Sequence, residues 1–204
     1  MFTGLIEHCG RVRALRTGQA MARLEVETPY RLEAGIELGE SLAVNGVCLT
    51  VVESDAAGLL SFDVLAETLR CTALGGVQAG ALVNLERAMA GHARFGGHLV
   101  QGHVDGVGVV ERFEAEGTDW RLRIAFDPKF SRWVVHKGSI AVDGISLTVA
   151  AEGSGWLEAC IIPHTRAVTN LAVCLVGARV NIEFEVIAKY IDRMLEKRFG
   201  GMQG

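Results

Sequence analysis

The chain has 204 residues, half of them apolar, so it is long enough to bury one large hydrophobic core or two small ones. Its 20 lysines and arginines are interleaved with 24 aspartates and glutamates for a net charge of −4, which leaves no single-sign run for nucleic acid or anionic lipid. No apolar run approaches membrane-spanning length, and residues 1–7 lack the cationic and apolar regions of a secretory signal, so we expect a cytoplasmic protein without nucleic-acid or membrane partners.

The first half of the chain has the pattern of short β-strands. Alternating or apolar runs such as residues 23–27 and 59–64 are separated by glycine and asparagine. The pair Asn45-Gly46 lies between two such runs, where a tight turn with positive φ is the usual structure. About six runs fit in this half, at spacings typical of a small closed antiparallel barrel.

The second half repeats the first. Residues 41–51 (SLAVNGVCLTV) match residues 139–149 (SIAVDGISLTV) at an offset of 98, and residues 83–86 match residues 180–183 at an offset of 97. An offset that stays constant to within one residue over both halves indicates duplication. We therefore predict a first barrel over residues 1–90, a glycine-rich linker over 91–98 and a second barrel over 99–186.

Residues 187–204 have no counterpart in the first half. Ile187, Ile191, Met194 and Arg198 recur at helical spacing with charged residues between them, which predicts one amphipathic helix. A lone helix of this length is marginally stable unless its apolar stripe packs on something, so we expect self-association.

The cysteines are five in number: Cys9, Cys48, Cys71, Cys160 and Cys174. Their number is odd, and none falls in a C-x-x-C spacing. They predict free thiols in a reducing compartment.

Six motifs lie in residues 1–7 (MFTGLIE), 45–50 (NGVCLT), 62–75 (FDVLAETLRCTALG), 83–88 (VNLERA), 96–104 (GGHLVQGHV) and 143–148 (DGISLT). Together they resemble the family of riboflavin synthases of the α-chain type, over both copies and the tail. The resemblance implies a mainly β fold of two tandem six-stranded antiparallel Greek-key β-barrels plus a C-terminal α-helix. It also implies a homotrimer formed through that helix, with each active site between the first barrel of one subunit and the second barrel of its neighbour.

The implied activity is that of a transferase. Two molecules of 6,7-dimethyl-8-ribityllumazine undergo a dismutation in which a four-carbon unit passes between them, giving riboflavin and 5-amino-6-(D-ribitylamino)uracil. No metal and no redox cofactor is implied, and lumazine synthase is implied as a partner to test. Two related pockets suit a reaction that joins two identical molecules, although duplication can also merely enlarge a protein.

The implied catalytic residues are Cys48, His103, Lys137 and Ser146. Cys48 and Ser146 occupy the same place in the two copies, and their difference would make the half-sites inequivalent, as a donor and acceptor pair requires. His103 could move a proton, and Lys137, which replaces Gly39 of the first copy, could stabilise an anion. The alternatives are a small buried apolar cysteine and a solvated lysine.

The implied substrate-binding residues also come from both copies. In the first copy they are Gly4, Leu5, Ile6, Ser41, Cys48, Leu49, Thr50, Asp63, Val64, Leu65, Ala66, Glu67 and Thr68. In the second copy they are Gly102, His103, Val104, Lys137, Ser146, Leu147, Thr148, Ile161, Ile162, Pro163, His164, Thr165 and Arg166. Thr50 and Thr148 should share a strand face with Cys48 and Ser146 and bond to ring or ribityl oxygens, although threonine also favours strands for its shape alone.

Three other hypotheses are open to test. His92, His98 and His103 lie close in sequence, but their spacing matches no common zinc pattern. A non-catalytic lumazine- or flavin-binding antenna protein is the alternative function, and residues 96–104 and 161–165 favour the enzyme over it. A purely structural oligomer would leave the paired polar positions unexplained.

Overall fold

A computed structural model of the chain describes residues 1–18, 21–28 and 36–199. The first barrel consists of β1 (His8–Thr17), β2 (Met21–Glu27), β3 (Ser41–Val44), β4 (Val47–Ser54), β5 (Leu59–Leu65) and β6 (Leu82–Arg87). The second consists of β7 (Gly106–Glu116), β8 (Asp119–Ala125), β9 (Ser139–Val142), β10 (Ile145–Gly153), β11 (Trp156–Ile161) and β12 (Arg179–Phe184). Side chains alternate between the core and the outside, as the sequence pattern predicts.

Each set of strands closes into an antiparallel barrel. The order around the first is β1-β2-β5-β4-β3-β6, and the second closes in the equivalent order β7-β8-β11-β10-β9-β12. Register shifts occur at equivalent places in the two copies, after Val12 and Val110 and after Val51 and Val149. The predicted pair of six-stranded barrels is confirmed, and closure leaves neither sheet with a free edge.

The remaining elements also follow the repeat. Helix α1 (Ala66–Cys71) and a 3-10 helix (Ala73–Gly76) link β5 to β6, and helix α2 (Pro163–Val168) and a 3-10 helix (Asn170–Ala172) link β11 to β12. A further 3-10 helix (Pro128–Trp133) precedes β9, and helix α3 (Val186–Phe199) follows the second barrel. The helix predicted for the tail is confirmed over Val186–Phe199, and residues 200–204 of that prediction lie outside the described residues. No helix in the described part of the chain is long and apolar enough to span a membrane.

Each barrel has its own core, and a small third cluster joins them. Leucine, valine and phenylalanine fill the first core, and the second adds isoleucine. The third cluster contains Phe2, Ala43, Val100 and Ala141, with Cys48 packed against it. Burial of such side chains stabilises the fold by about 1.5–3 kcal/mol for each large one.

The segment that precedes each barrel crosses to the other barrel. Phe2 and Val100 form an antiparallel bridge, with the Phe2 N–H donating to the Val100 carbonyl at 2.7 Å. Beyond this bridge, Ile6 packs on the core of the second barrel and Val104 on the core of the first. The limits drawn at residues 90 and 98 stay a prediction, and these leading segments are shared between the two copies.

A buried polar network also joins the barrels at the two tight turns. The turns have positive φ at Asn45 and Asp143, as the sequence predicts, and the glycines that follow them pack against each other. Asn84 Nδ2 donates to the Asp143 carbonyl at 2.9 Å, and Asn181 Nδ2 donates to the Asn45 carbonyl at 2.8 Å. Asn170 Nδ2 donates to the Asp143 carboxylate at 2.8 Å. The Asp143 carboxylate therefore lies inside a cluster of amide groups, and none of these residues is a cation that could pair with it.

Helix α3 lies on the second barrel with one face uncovered. Lys189 Nζ contacts both oxygens of Asp105, at 2.7 and 2.9 Å, and Trp133 Nε1 donates to Asp192 at 2.9 Å. On its other face Tyr190 and Met194 are 68% and 71% exposed. A single chain leaves this apolar stripe without a cover, which favours the self-association expected from the sequence.

Candidate functional site

Equivalent strands β4 and β10 carry the paired polar residues. Cys48 and Ser146 are half-buried, and Thr50 and Thr148 are exposed two residues later on the same face. This confirms the shared strand face predicted from their spacing. The side chains of Leu49 and Leu147 point the other way, into the cores, so only their backbone groups could meet a ligand.

Each half-site takes a glycine from the opposite copy. The Ser146 N–H donates to the Gly4 carbonyl at 2.8 Å, and the Cys48 N–H donates to the Gly102 carbonyl at 3.0 Å. Both glycines have positive φ, and a Cβ added to either would lie 2.6 Å from the Cβ of the residue it faces. A side chain is therefore excluded at both positions, and the close approach requires glycine.

Two buried carboxylates hold these glycine segments in place. Glu86 accepts from the Thr3 N–H at 2.7 Å, from the Thr3 hydroxyl at 2.9 Å and from the Gly4 N–H at 3.0 Å. Glu183 accepts from Gln101, Gly102 and His103, again through backbone N–H groups. Burial raises the pKa of both carboxyl groups, against the opposing effect of the donors. This pair was not among the predicted site residues, although it recurs in the VNLE and VNIE motifs.

The other predicted residues of the first copy lie in two places, beside Thr50 and at the end of β5. Ser41 pairs with Thr50 across β3 and β4. At the end of β5, Asp63 forms an ion pair with Arg23 at 2.8 Å, and Glu67 in α1 contacts Arg70. Val64 lies in the core, whereas the side chains that follow it at the end of β5 are exposed or half-buried: Leu65, Ala66, Glu67 and Thr68.

The second copy has the same arrangement at the end of β11. Ile161 lies in the core, and the residues after it are exposed or half-buried: Ile162, Pro163, His164, Thr165 and Arg166. The Arg166 guanidinium stacks on Trp120, 4.0 Å from the ring centre. Lys137 is exposed with a positive φ of 64°, and its N–H donates to Val149, as the N–H of Gly39 donates to Val51.

The leading segments bring the last predicted residues to the site. Ile6 is half-buried and Leu5 exposed beside Gly4, in the half-site of Ser146. Val104 is half-buried and His103 exposed beside Gly102, in the half-site of Cys48. The sequence placed each segment in its own copy, whereas the fold exchanges them.

His98, for which the sequence suggested only a test as a metal ligand, lies at the second half-site. Nδ1 of His98 is 2.7 Å from the hydroxyl oxygen of Ser146. The ring is buried, which lowers the pKa of His98. His98 belongs to the GGHL motif, which was the signal available in the sequence. In the described ranges, no three His, Cys, Asp or Glu side chains are grouped so as to hold a metal ion.

The site therefore consists of two matched edges, each made by one barrel and the leading segment of the other copy. One edge presents a thiol, a threonine and the exposed His103 imidazole, and the other a serine hydroxyl, a threonine and the buried His98 imidazole. Thr50 and Thr148 are open to solvent in a single chain. Such edges could orient two similar polar ring systems.

The comparisons with known proteins agree with this duplicated arrangement. A family model for the lumazine binding domain matches residues 3–88 and again residues 101–185. Riboflavin synthase of Mycobacterium tuberculosis is 47% identical over 200 residues, which cover 96% of this chain and 98% of the relative. Riboflavin synthase of Bacillus subtilis is 41% identical over 198 residues, covering 97% and 91%.

Solved structures give the same fold. LumP complexed with riboflavin superposes with a TM-score of 0.84, covering 91% of this chain and 100% of that one at 22% identity. LumP complexed with 6,7-dimethyl-8-(1'-D-ribityl) lumazine gives a TM-score of 0.80 at the same identity. At this identity the likeness concerns the fold alone.

Proposed function

Because the chain belongs to the riboflavin synthase family, with two lumazine-binding domains, we propose that its two half-sites hold a pair of 6,7-dimethyl-8-ribityllumazine molecules face to face. The enzyme transfers a four-carbon unit from one molecule to the other, which gives riboflavin and 5-amino-6-(D-ribitylamino)uracil. The observation that carries the proposal is the equivalence of the two edges, with Thr50 and Thr148 on the same face of equivalent strands.

Positioning supplies much of the catalysis in this proposal. The C7 methyl group of the lumazine is acidic because its carbanion delocalises into the pteridine ring. The protein must then stabilise that anion, activate C7 of the partner molecule and keep the two rings in register. Fixing two reactants in this way can lower a barrier by about 7 kcal/mol or more. No metal and no redox cofactor takes part in the proposed reaction.

Four side chains take the catalytic roles. Cys48 and Ser146 border the two bound rings, and Cys48 assists by addition or polarisation at C7. His103 moves a proton between the methyl group and solvent, and Lys137 stabilises the anion. The exposure of Lys137 and His103, in the second and the first half-site respectively, supports these roles because neither side chain is buried within its own barrel.

The remaining residues bind the substrate. Backbone groups that follow β5 and β11 line two equivalent rims, one at the end of each strand. Thr68 and Thr165 present matched hydroxyl groups at these rims. Thr50 and Thr148 bond to ring or ribityl oxygens. Arg166, whose guanidinium lies 4.0 Å from the centre of the Trp120 ring, contributes a guanidinium edge to the rim at the end of β11.

The active enzyme is a homotrimer in this proposal. Three copies of α3 cover one another's apolar stripes, and each complete site lies between the first barrel of one subunit and the second barrel of its neighbour. The exposed Tyr190 and Met194 support the contact, and the openness of the threonine edges supports a shared site. Five free cysteines fit a cytoplasmic location. Association with lumazine synthase stays a prediction.

The alternative, a non-catalytic lumazine- or flavin-binding antenna protein, is not favoured. Relatives named riboflavin synthase reach 47% identity over nearly the whole chain, whereas the LumP structures are 22% identical. The edges also retain the thiol, the serine hydroxyl and the histidine that a purely light-absorbing complex does not need.

The test is turnover of the purified protein with 6,7-dimethyl-8-ribityllumazine as sole substrate, followed by flavin absorbance. We expect steady formation of riboflavin, with one molecule formed for every two lumazines consumed. The Thr118→Ala variant, in the exposed turn between β7 and β8, should retain this rate. Stoichiometric binding of the lumazine without conversion would instead establish the antenna function.

A further inference from the structure

The second half-site contains a fixed contact between an imidazole and a hydroxyl. Nδ1 of His98 lies 2.7 Å from Oγ of Ser146, within ordinary hydrogen-bond distance. The His98 residue is only 9% exposed, and its N–H donates to the Thr3 carbonyl at 3.1 Å. Gly97, just before it, has no room for a Cβ because the Thr3 carbonyl oxygen would lie 2.0 Å away. The imidazole is therefore held against the serine by the backbone as well as by its own burial.

A half-buried carboxylate acts electrostatically on this imidazole. Glu185 follows β12 directly, and its Oε1 atom is buried without a hydrogen-bond partner. Buried polar atoms are nearly always paired, so this unpartnered oxygen requires an explanation. Among the described residues, Glu185 is the charged group whose field acts on the His98 ring; it raises the pKa of His98, against the larger lowering by burial.

The first half-site lacks both parts of this arrangement. Cys48 stands where the second copy has Ser146, and Ala88 stands where it has Glu185. Within the described part of the chain, no side chain forms a hydrogen bond with the Cys48 thiol. The two edges thus match in shape but differ in acid and base groups.

We propose that His98 is the base for the Ser146 hydroxyl, and that Glu185 is a positioning residue that acts through His98. The proposal rests on the proposed function and deepens it. As the Ser146 Oγ–C7 bond to a bound lumazine forms, the O–H bond breaks, the proton passes to Nδ1 of His98, and the displaced π-electron pair moves into the pteridine ring. The reverse steps return the proton and release Ser146. The lumazine held in the second half-site is therefore the one that Ser146 attacks at C7.

This order of roles follows the logic of activated nucleophiles. A hydroxyl is a weak nucleophile until an adjacent base accepts its proton, and the base is in turn oriented by a third group. Burial favours the neutral imidazole, which is the form that can accept the proton. The exposed His103, by contrast, lies at the other half-site, where its imidazole is open to exchange with solvent.

The test measures turnover of lumazine by the full chain and by the His98→Gln, Glu185→Gln and double variants. Removal of a general base typically costs 10²–10⁴-fold, so we expect kcat of His98→Gln to fall at least 100-fold with KM changed by less than about threefold. Glu185→Gln should lower kcat about tenfold. Because Glu185 acts through His98, the double variant should be no slower than His98→Gln alone. Losses that multiply in the double variant would overturn the positioning role.

The pH profile supplies a readout that a merely structural role would not move. In the unaltered enzyme kcat should fall on the acid side as His98 gains a proton. Glu185→Gln should move this limb to lower pH, because the carboxylate raises the pKa of His98, and His98→Gln should remove it. The proposal would be refuted if the acid side of the kcat profile stayed at the same pH in Glu185→Gln, or if His98→Gln kept the full rate.

Two controls separate this proposal from folding defects and from the proposed function. His92→Gln, in the exposed linker, should keep the full rate. Should His98→Gln fail to fold, the nitrogen-15 titration of His98 in Ser146→Ala decides instead: a changed pKa and tautomer supports the contact, and an unchanged one contradicts it. If the unaltered enzyme forms no riboflavin, the proposed function is refuted. If the unaltered enzyme forms riboflavin and His98→Gln turns over at the same rate, only the role of His98 as a base is refuted.

Discussion

The carboxylate of Asp143 should make the stability of the protein depend on pH, and replacing it with asparagine should remove that dependence. Asp143 is only 4% exposed at the contact between the barrels, where it accepts from the Asn181 N–H and from Asn170 Nδ2, both at 2.8 Å. Burial raises the pKa of Asp143 from 3.8 to about 6. The titratable group that faces it is the Cys174 thiol, whose pKa is raised to about 11, so no neighbour neutralises the carboxylate near neutral pH.

The sign and size follow from proton linkage. Between pH 3.8 and about 6 the folded state keeps a proton that the unfolded chain has lost, so the free energy of unfolding falls as pH rises through this window. The raised pKa corresponds to about 3 kcal/mol, at roughly 1.4 kcal/mol for each pKa unit. The stabilising contribution is thus complete below pH 3.8 and lost above about pH 6.

The assay is urea unfolding at a series of pH values from about 4 to 7.5, at one protein concentration, for the unaltered chain and Asp143→Asn. We expect the difference between the two free energies to change by up to about 3 kcal/mol across the series. The decisive measurement is the change of the unfolding free energy with pH. The stability at a single pH is not decisive, because the new asparagine amide would place a donor against the Asn170 amide donor and so destabilise the variant at every pH. Asn45→Asp, at the equivalent turn, should add a dependence of the same sign. Parallel curves for the unaltered chain and Asp143→Asn would refute the reasoning.

Three further predictions concern the leading segments and the C-terminal helix. Gly102→Ala should lower the melting temperature and turnover, because the new Cβ would overlap the facing strand at 2.6 Å; the matched Gly80→Ala, with similar φ and open space, should cost only about 1 kcal/mol, and equal losses would contradict this account. Glu86→Gln should destabilise the chain by about 1–3 kcal/mol in urea unfolding, because an amide donor would face the backbone donors; an unchanged midpoint would argue against the clamp. Met194→Glu should dissociate the oligomer in sedimentation velocity and abolish turnover, whereas Lys197→Glu should not; an active monomer would refute the shared site.

The regular parts of this fold were predictable because their causes are local or repeated. Alternation of apolar residues fixes which side of a strand faces the core, and the Asn-Gly and Asp-Gly pairs adopt the left-handed conformations that tight hairpins need. The constant offset between copies then made each strand of one barrel a prediction for the other. The tail helix followed from its apolar spacing.

The exchange of leading segments was not predictable from the same signals. Gly4 and Gly102 mark equivalent positions, and nothing local distinguishes a glycine that contacts its own barrel from one that contacts the other. Only the long-range contacts with Ser146 and Cys48 decide this. The role of His98 escaped sequence reasoning for the same reason, since its hydroxyl partner lies 48 residues away along the chain.

The anchor of the last helix also depends on tertiary contacts. The sequence indicated a helix but offered no reason to connect Lys189 with Asp105, which lies 84 residues earlier. This partly buried ion pair sets where the helix leaves the barrel, and thereby which apolar side chains remain for a partner subunit. Periodicity can predict an amphipathic helix, whereas its direction depends on such pairs.

The most direct test of the account is a mixing experiment with two obstructed enzymes. Thr50→Trp should fill the first half-site and Thr148→Trp the second, both at exposed strand positions, so that each variant alone is inactive. Co-expression in equal amounts should restore roughly one quarter of the unaltered turnover, because a random trimer then contains interfaces in which both contributing barrels are intact. Complete absence of recovery in mixed trimers would show that one chain supplies both halves of its own site, and would contradict the account.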